Sequence, residues 1–186
     1  MKIECIEIHH ICLPMIKPFV TGCGVIPDRN LLIVRLHADG IAGLGECSAN
    51  RDPSYSDETI VTCRQIITDF LAPNVLGDDF DTVESFVVAL NRGVVGNRMA
   101  KSALELAFWD LLSRKERLSV SELLGGVKTV VDAGVSVGMS DTFGETLDEC
   151  RFQLDKGFQR LKVKIKPDHD DALISFLRSE LGDIPM

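Results

Sequence analysis

The sequence lacks any apolar run near the roughly 20 residues that a membrane-spanning helix needs, and it has no low-complexity tract. Its start, Met1-Lys2-Ile3-Glu4, puts an acid inside the first apolar stretch and so does not read as a secretory leader. Positive charge is in the minority. Twenty Lys and Arg against 28 Asp and Glu leave a net charge of −8, which argues against a nucleic-acid footprint and leaves small-molecule substrates open. C-x-x-C pairs are missing: Cys5, Cys12, Cys23, Cys47, Cys63 and Cys150 are scattered, most of them among apolar neighbours. A free thiol there behaves as a small buried hydrophobe, so a reduced, cytoplasmic chain is expected rather than a disulfide framework. Metal spacing is missing from the histidines as well. His9 and His10 would point to opposite faces of a strand, His37 and His169 are isolated, and all four read as structural or surface residues.

What is present is a globular composition. The 186 residues are 45% hydrophobic and 26% charged, enough for a sizeable core. Residues 2–13 read as a strand closed by Pro14, with an irregular loop over residues 17–24. Residues 31–37 and 41–47 flank Asp39-Gly40, a strong hairpin signal because both turn residues tolerate positive φ. A three-stranded antiparallel meander is expected. Helices follow. Residues 57–71 carry Asp57 and Glu58 in the first turn and stop at Pro73; Asp81 is placed to cap a second helix, and Asn97 a third over 98–114. The third is apolar on most sides and should be the central helix of this half, with Trp109 in its core. Ser119 and Glu122 have capping-box spacing, and Gly125-Gly126 ends that turn.

Beyond those glycines the pattern becomes β-α-β-α: a strand over 129–137, a helix over 142–156, a strand over 160–166 and a helix over 170–181. That alternation belongs to a parallel sheet or a β/α barrel. In the second strand Leu161, Val163 and Ile165 alternate with Lys162, Lys164 and Lys166, which puts the apolar residues on one face and Lys162 and Lys164 on the other. Lysines also guard ordinary sheet edges, so the flanking chain decides their meaning.

That flanking chain resembles a known family. Gly43-Leu-Gly-Glu46, Arg98–Asp110, Leu123-Leu-Gly-Gly126, Gly134-Val-Ser-Val-Gly138 and Lys162-Val-Lys164 follow one another as they do in the enolase superfamily, muconate-lactonizing subgroup. Pro18-Phe-Val-Thr21, Arg98-Met-Ala-Lys101 and Lys164-Ile-Lys-Pro167 with Asp170 resemble the o-succinylbenzoate synthase / N-acylamino acid racemase family; Asp168 stands where that family usually has glycine. The resemblance implies an α+β capping domain over residues 1–125, followed over 126–186 by the first βα units of a β/α (TIM-type) barrel. It implies that Lys164 is the proton-transferring base and Lys162 its partner. Chemically this fits. A lysine is a poor base until a nearby cation or loss of hydration disfavours its protonation, and a Lys-x-Lys strand sets a like charge within about 7 Å.

The resemblance further implies that Phe19, Thr21, Gly22, Asn50 and Tyr55 belong to two capping-domain loops over the substrate, and that Ser136 lies near its carboxylate. The implied cofactor is magnesium, whose acidic ligands would come from strands downstream of Met186; nothing in the spacing of Asp132, Asp141 and Glu145 resembles such a site. A whole β/α barrel takes about 250 residues, so two βα units imply an incomplete barrel. The implied reaction is magnesium-dependent abstraction of a proton α to a small-molecule carboxylate. Its outcome would be dehydration to o-succinylbenzoate, on the menaquinone pathway, or racemization of an N-acylamino acid or a related cycloisomerization. The visible residues do not choose between lyase and racemase. This chain alone is expected to be inactive, and to form a homo-oligomer or be completed by the missing barrel segment. A reading from another class is a non-catalytic binding or assembly module.

Overall fold

The computed structural model describes residues 1–21, 24–165 and 170–186. The chain divides into two units: Met1–Pro14 with Asp28–Val127, and Met15–Pro27 with Lys128–Met186.

The first unit is built on the meander. Strands β1 (Ile3–Thr21), β2 (Gly24–Ala38) and β3 (Ile41–Cys47) pair in that order. Leu32↔Cys47 to Ala38↔Ile41 set the antiparallel register of β2 on β3. The turn is the expected one, with φ of 50° at Asp39 and 77° at Gly40. The first strand corrects the sequence expectation. It passes through Pro14 and takes in residues 17–21, which had read as an irregular loop. A proline costs a ladder hydrogen bond only in a central strand, and β1 is an edge. Residues 22 and 23 lie outside the described residues.

Leu32, Val34, Leu36 and Ala38 of β2 are buried and share a core with α1 (Ile60–Ile66), α2 (Val83–Leu90) and α3 (Arg98–Glu116). Phe86 stacks on Phe108 at 4.4 Å between ring centroids, and Phe80 meets Phe86 edge-on at 5.2 Å. Trp109 is half-buried against this core. The tightest contact joins α3 to β3, where glycine faces alanine: a Cβ at Gly45 would stand 2.0 Å from the Ala103 carbonyl, and one at Gly43 would stand 2.2 Å from that of Ala107. The backbones themselves touch. Asp110 adds a bond across the seam, accepting the Leu44 N–H at 2.8 Å.

Helix termini differ from expectation at three points. The α1 cap is Thr59, so Asp57 and Glu58 precede the helix rather than fill its first turn; after Ile66 the chain continues as a π-helical turn, Ile67–Leu71, and a 3-10 turn containing Pro73. Thr82, not Asp81, caps α2 by accepting from the Ser85 N–H. Asn97 sits at the α3 N-cap in a left-handed conformation, but its side chain makes no capping bond there. Glu58 supplies it instead, accepting the Met99 N–H at 2.9 Å and the Ala100 N–H at 3.1 Å. Ser119 and Glu122 form the expected capping box on the short helix α4 (Val120–Leu123).

In the second unit β4 (Gly134–Val137) and β5 (Arg160–Val163) are parallel, with α5 (Phe143–Asp155) between them and α6 (Asp170–Leu181) after. Val137, Leu147, Cys150, Leu161, Leu173 and Leu177 form their core. Thr142 and Glu145 make a capping box at the start of α5. Both strands are shorter than the sequence suggested, and each limits the other. Upstream of Gly134 the last bond is Gln159 N–H to the Ala133 carbonyl, and Val130 and Val131 are exposed. At the far end Lys164 N–H bonds the Val137 carbonyl, and Ile165, expected to pack with Leu161 and Val163, is 49% exposed. Strand geometry without a partner has no ladder to hold it. On the other side of β5, Leu161 N–H bonds the Pro185 carbonyl at 2.9 Å, aided by Arg178, which holds the Ile184 carbonyl at 2.6 Å.

Candidate functional site

The site residues fall into the two units. In the second, the parallel register puts Ser136 directly beside Lys162. Side chains at paired positions of neighbouring strands project to one face, so these two leave the sheet side by side. Lys164 lies one step past the C-terminal end of β5 and is half-buried, whereas Lys162 is exposed. Phe19 belongs to this unit too: Lys164 Nζ stands 5.7 Å from the centroid of its ring, within cation–π range. Thus four expected residues, Phe19, Ser136, Lys162 and Lys164, lie at one end of a two-stranded parallel sheet. The Thr21 backbone lies in β1; its side chain and Gly22 lie outside the described residues.

A cavity of about 560 Å³ runs beside this sheet, lined by Ser136, Arg160, Lys162, Val163, Ile165 and Arg178 among others. Consecutive β5 residues line it, although they point to alternating faces. Gly134, Val135 and Ser136 of β4 line it as well, so the cavity touches both strands of this sheet. Lys164 and Phe19 do not line it.

In the first unit, Asn50 and Tyr55 stand on the segment that joins β3 to α1. Asn50 is fixed through side chain and backbone: its side-chain oxygen accepts from Arg29 Nη1 at 3.2 Å, and its carbonyl accepts the Ile60 N–H at 2.9 Å, part of a parallel bridge to Thr59. Arg29 Nη2 also bonds the Ser48 carbonyl at 3.0 Å. Tyr55 is 78% exposed. Arg29 escaped the sequence reading; a lone arginine in a strand carries no local signal for a partner 21 residues on.

No group of three or more His, Cys, Asp or Glu capable of holding a metal occurs among the described residues. Magnesium takes oxygen ligands from clustered carboxylates, so the described residues do not fit such an ion. Likewise, among the described residues no helix is long and apolar enough to cross a membrane.

Residues 5–125 match the family model of the mandelate racemase / muconate lactonizing enzyme N-terminal domain. The chain belongs to that family. It is 38% identical over its whole length to the o-succinylbenzoate synthase of Bacillus subtilis, and 36% identical over 96% of its length to the N-succinylamino acid racemase of Thermus thermophilus. An enolase-superfamily member from Listeria innocua superposes with a TM-score of 0.92 at 30% identity, covering 99% of this chain and 50% of that one. The chain spans about half the length of the curated relatives it matches, 50% and 48% of the two enzymes named. Its homologues are enolase-superfamily enzymes, and residues 5–125 correspond to their N-terminal capping domain.

Proposed function

We propose that this chain is the capping domain, residues 1–125, and the opening βα units, residues 126–186, of an enzyme that removes a proton α to a carboxylate. The observation that carries the reading is the juxtaposition of Lys164 with Phe19, one register step from the Ser136–Lys162 pair, at the C-terminal end of a parallel strand. In β/α barrels that end of the strands carries the chemistry. In this reading Lys164 Nζ takes the carbon-bound proton. Lys162 supplies positive charge toward the enolate that forms, and Ser136 donates a hydrogen bond to the substrate carboxylate. Phe19 covers the apolar side of the lysine, with Thr21, Gly22, Asn50 and Tyr55 completing the substrate-facing loops.

Both o-succinylbenzoate synthase and N-succinylamino acid racemase occur among the relatives. Dehydration to o-succinylbenzoate is the activity we favour; racemization of an N-acylamino acid is the alternative. Because the described residues do not fit a metal site, no step is assigned to an ion held by this chain, and magnesium ligation is expected from strands beyond Met186. The reading therefore requires that a further segment or a second copy complete the barrel, in a cytoplasmic setting. The open β5 edge favours a second reading, a non-catalytic module that binds a partner strand.

The test is to assay the protein, alone and with the polypeptide that completes the barrel, for dehydration and for loss of optical activity. Lys164→Ala in the complete enzyme should lower either turnover by about 10³-fold. Full activity in that variant overturns the role of Lys164. Activity in neither assay, with a strand partner bound at β5, favours the module.

A further inference from the structure

Arg29 does more than hold the chain after β3. Its guanidinium carries donors and no acceptor, so the atom that Asn50 turns toward it must be the amide oxygen. The second arm of the same fork, on the Ser48 carbonyl, keeps the guanidinium from swinging away. Asn50 Nδ2 therefore points elsewhere. Among the described residues nothing accepts from it. No buried side-chain nitrogen among them lacks a partner, so this one, on a half-buried residue, reaches solvent.

The charge on Arg29 adds to this. No carboxylate pairs with it among the described residues. A cation bonded to one end of an amide polarises the other end, which makes the two Asn50 N–H groups better donors. The segment thus presents a fixed and strengthened donor pair. Beyond it, residues 51–55 are exposed, with a local bond from the Ser54 N–H to Asp52 Oδ1 at 3.0 Å.

We propose that Arg29 is a positioning residue for the proton abstraction proposed above, a reading on which this inference rests: it turns the Asn50 amide so that Nδ2 donates to a substrate oxygen. Ser136 is assigned the carboxylate beside the reacting carbon, so the oxygen that Asn50 meets belongs to a second group, a carbonyl or another carboxylate. A substrate of this enzyme then carries two separate oxygen-bearing groups. A contact to the second group is alike in the ground and transition states, so its loss raises KM and spares kcat.

The complete enzyme, this chain with the segment that completes the barrel, is measured in the dehydration and racemization assays. Asn50→Asp keeps oxygen toward Arg29 and so keeps the segment held, but it replaces the outward donors with an acceptor. Its melting midpoint should stay within about 2 °C of wild type, while KM rises about tenfold and kcat moves less than about twofold. Arg29→Met leaves the amide free to turn and should raise KM about fivefold. In an Asn50→Ala background the same change should add less than about twofold, because no amide remains to orient. Should Arg29→Met fail to fold, Arg29→Lys takes its place, since one ammonium cannot reproduce the fork. An Asn50→Asp enzyme with wild-type KM overturns the proposal. So does an Arg29 variant whose KM rises equally with and without the Asn50 side chain. A wild type inactive in both assays overturns the proposed function and this role with it, whereas an active wild type with either of the preceding results overturns this role alone.

Discussion

Replacing Gly45 by alanine adds one methyl group where α3 and β3 meet. The new Cβ would stand 2.0 Å from the Ala103 carbonyl oxygen and 2.6 Å from the Ala107 nitrogen. Both are helix backbone, so no rotamer change relieves the clash; α3 must retreat by over an ångström. Ala100, Ala103, Leu104, Ala107, Phe108 and Leu111 are all fully buried against the same seam, and each loses contact as the helix withdraws. Overpacking usually costs about 1–3 kcal/mol. A rigid backbone obstacle plus partial exposure of several core side chains puts this case at about 3–5 kcal/mol. At roughly 2–4 °C per kcal/mol the melting midpoint should fall by about 10 °C. Differential scanning calorimetry reads it, with Gly144→Ala as control, since the nearest atom to a Cβ there is Thr142 Oγ1 at 4.0 Å. Ala103→Gly in the Gly45→Ala background should not rescue, because the obstacle is a carbonyl, not a methyl. A drop within about 2 °C of wild type, or rescue by that second change, refutes the backbone-contact account.

Glu58→Ala strands the half-buried Met99 and the buried Ala100 N–H groups and should lower unfolding free energy by about 2–4 kcal/mol in urea, whereas Glu58→Gln, which keeps an acceptor oxygen, should cost about 1 kcal/mol. Equal losses for the two variants would show that something other than capping is at work. Glu7 is held below the usual carboxylate value first by its hydrogen bond to His9 and then by that to His37. A depressed folded value means that this carboxylate contributes stability above the unfolded pKa of 4.5 and loses it as pH falls through the folded one. His9→Ala should therefore raise the Glu7 midpoint in a carboxyl NMR titration and flatten the acid limb of the stability profile.

Where a signal is local, the sequence reading and the structure agree. Asp39-Gly40 specifies its own turn, the capping box of Ser119 and Glu122 needs only four residues, and α6 begins and ends at the expected residues. Misreadings arise where tertiary contacts override a local rule. Pro14 reads as a strand end, yet an edge strand has no inward bond to lose there. Asn97 reads as the cap of α3, but the capping carboxylate comes from Glu58, 41 residues earlier than Met99. At the candidate site, the Lys162–Lys164 alternation and the parallel β4–β5 pairing were legible. The support of Asn50 by Arg29 was not, because it depends on how the segment after β3 meets a residue of β2.

The glycine–alanine seam has a mechanical consequence. Side chains that interdigitate can yield by hopping between rotamers, and main chain pressed on main chain has no such cushion. Strand β3 and helix α3 will shift as one plate. Whatever bending the capping unit needs must then be absorbed where that plate ends, in the stretch beginning at Ser48, rather than within the plate itself.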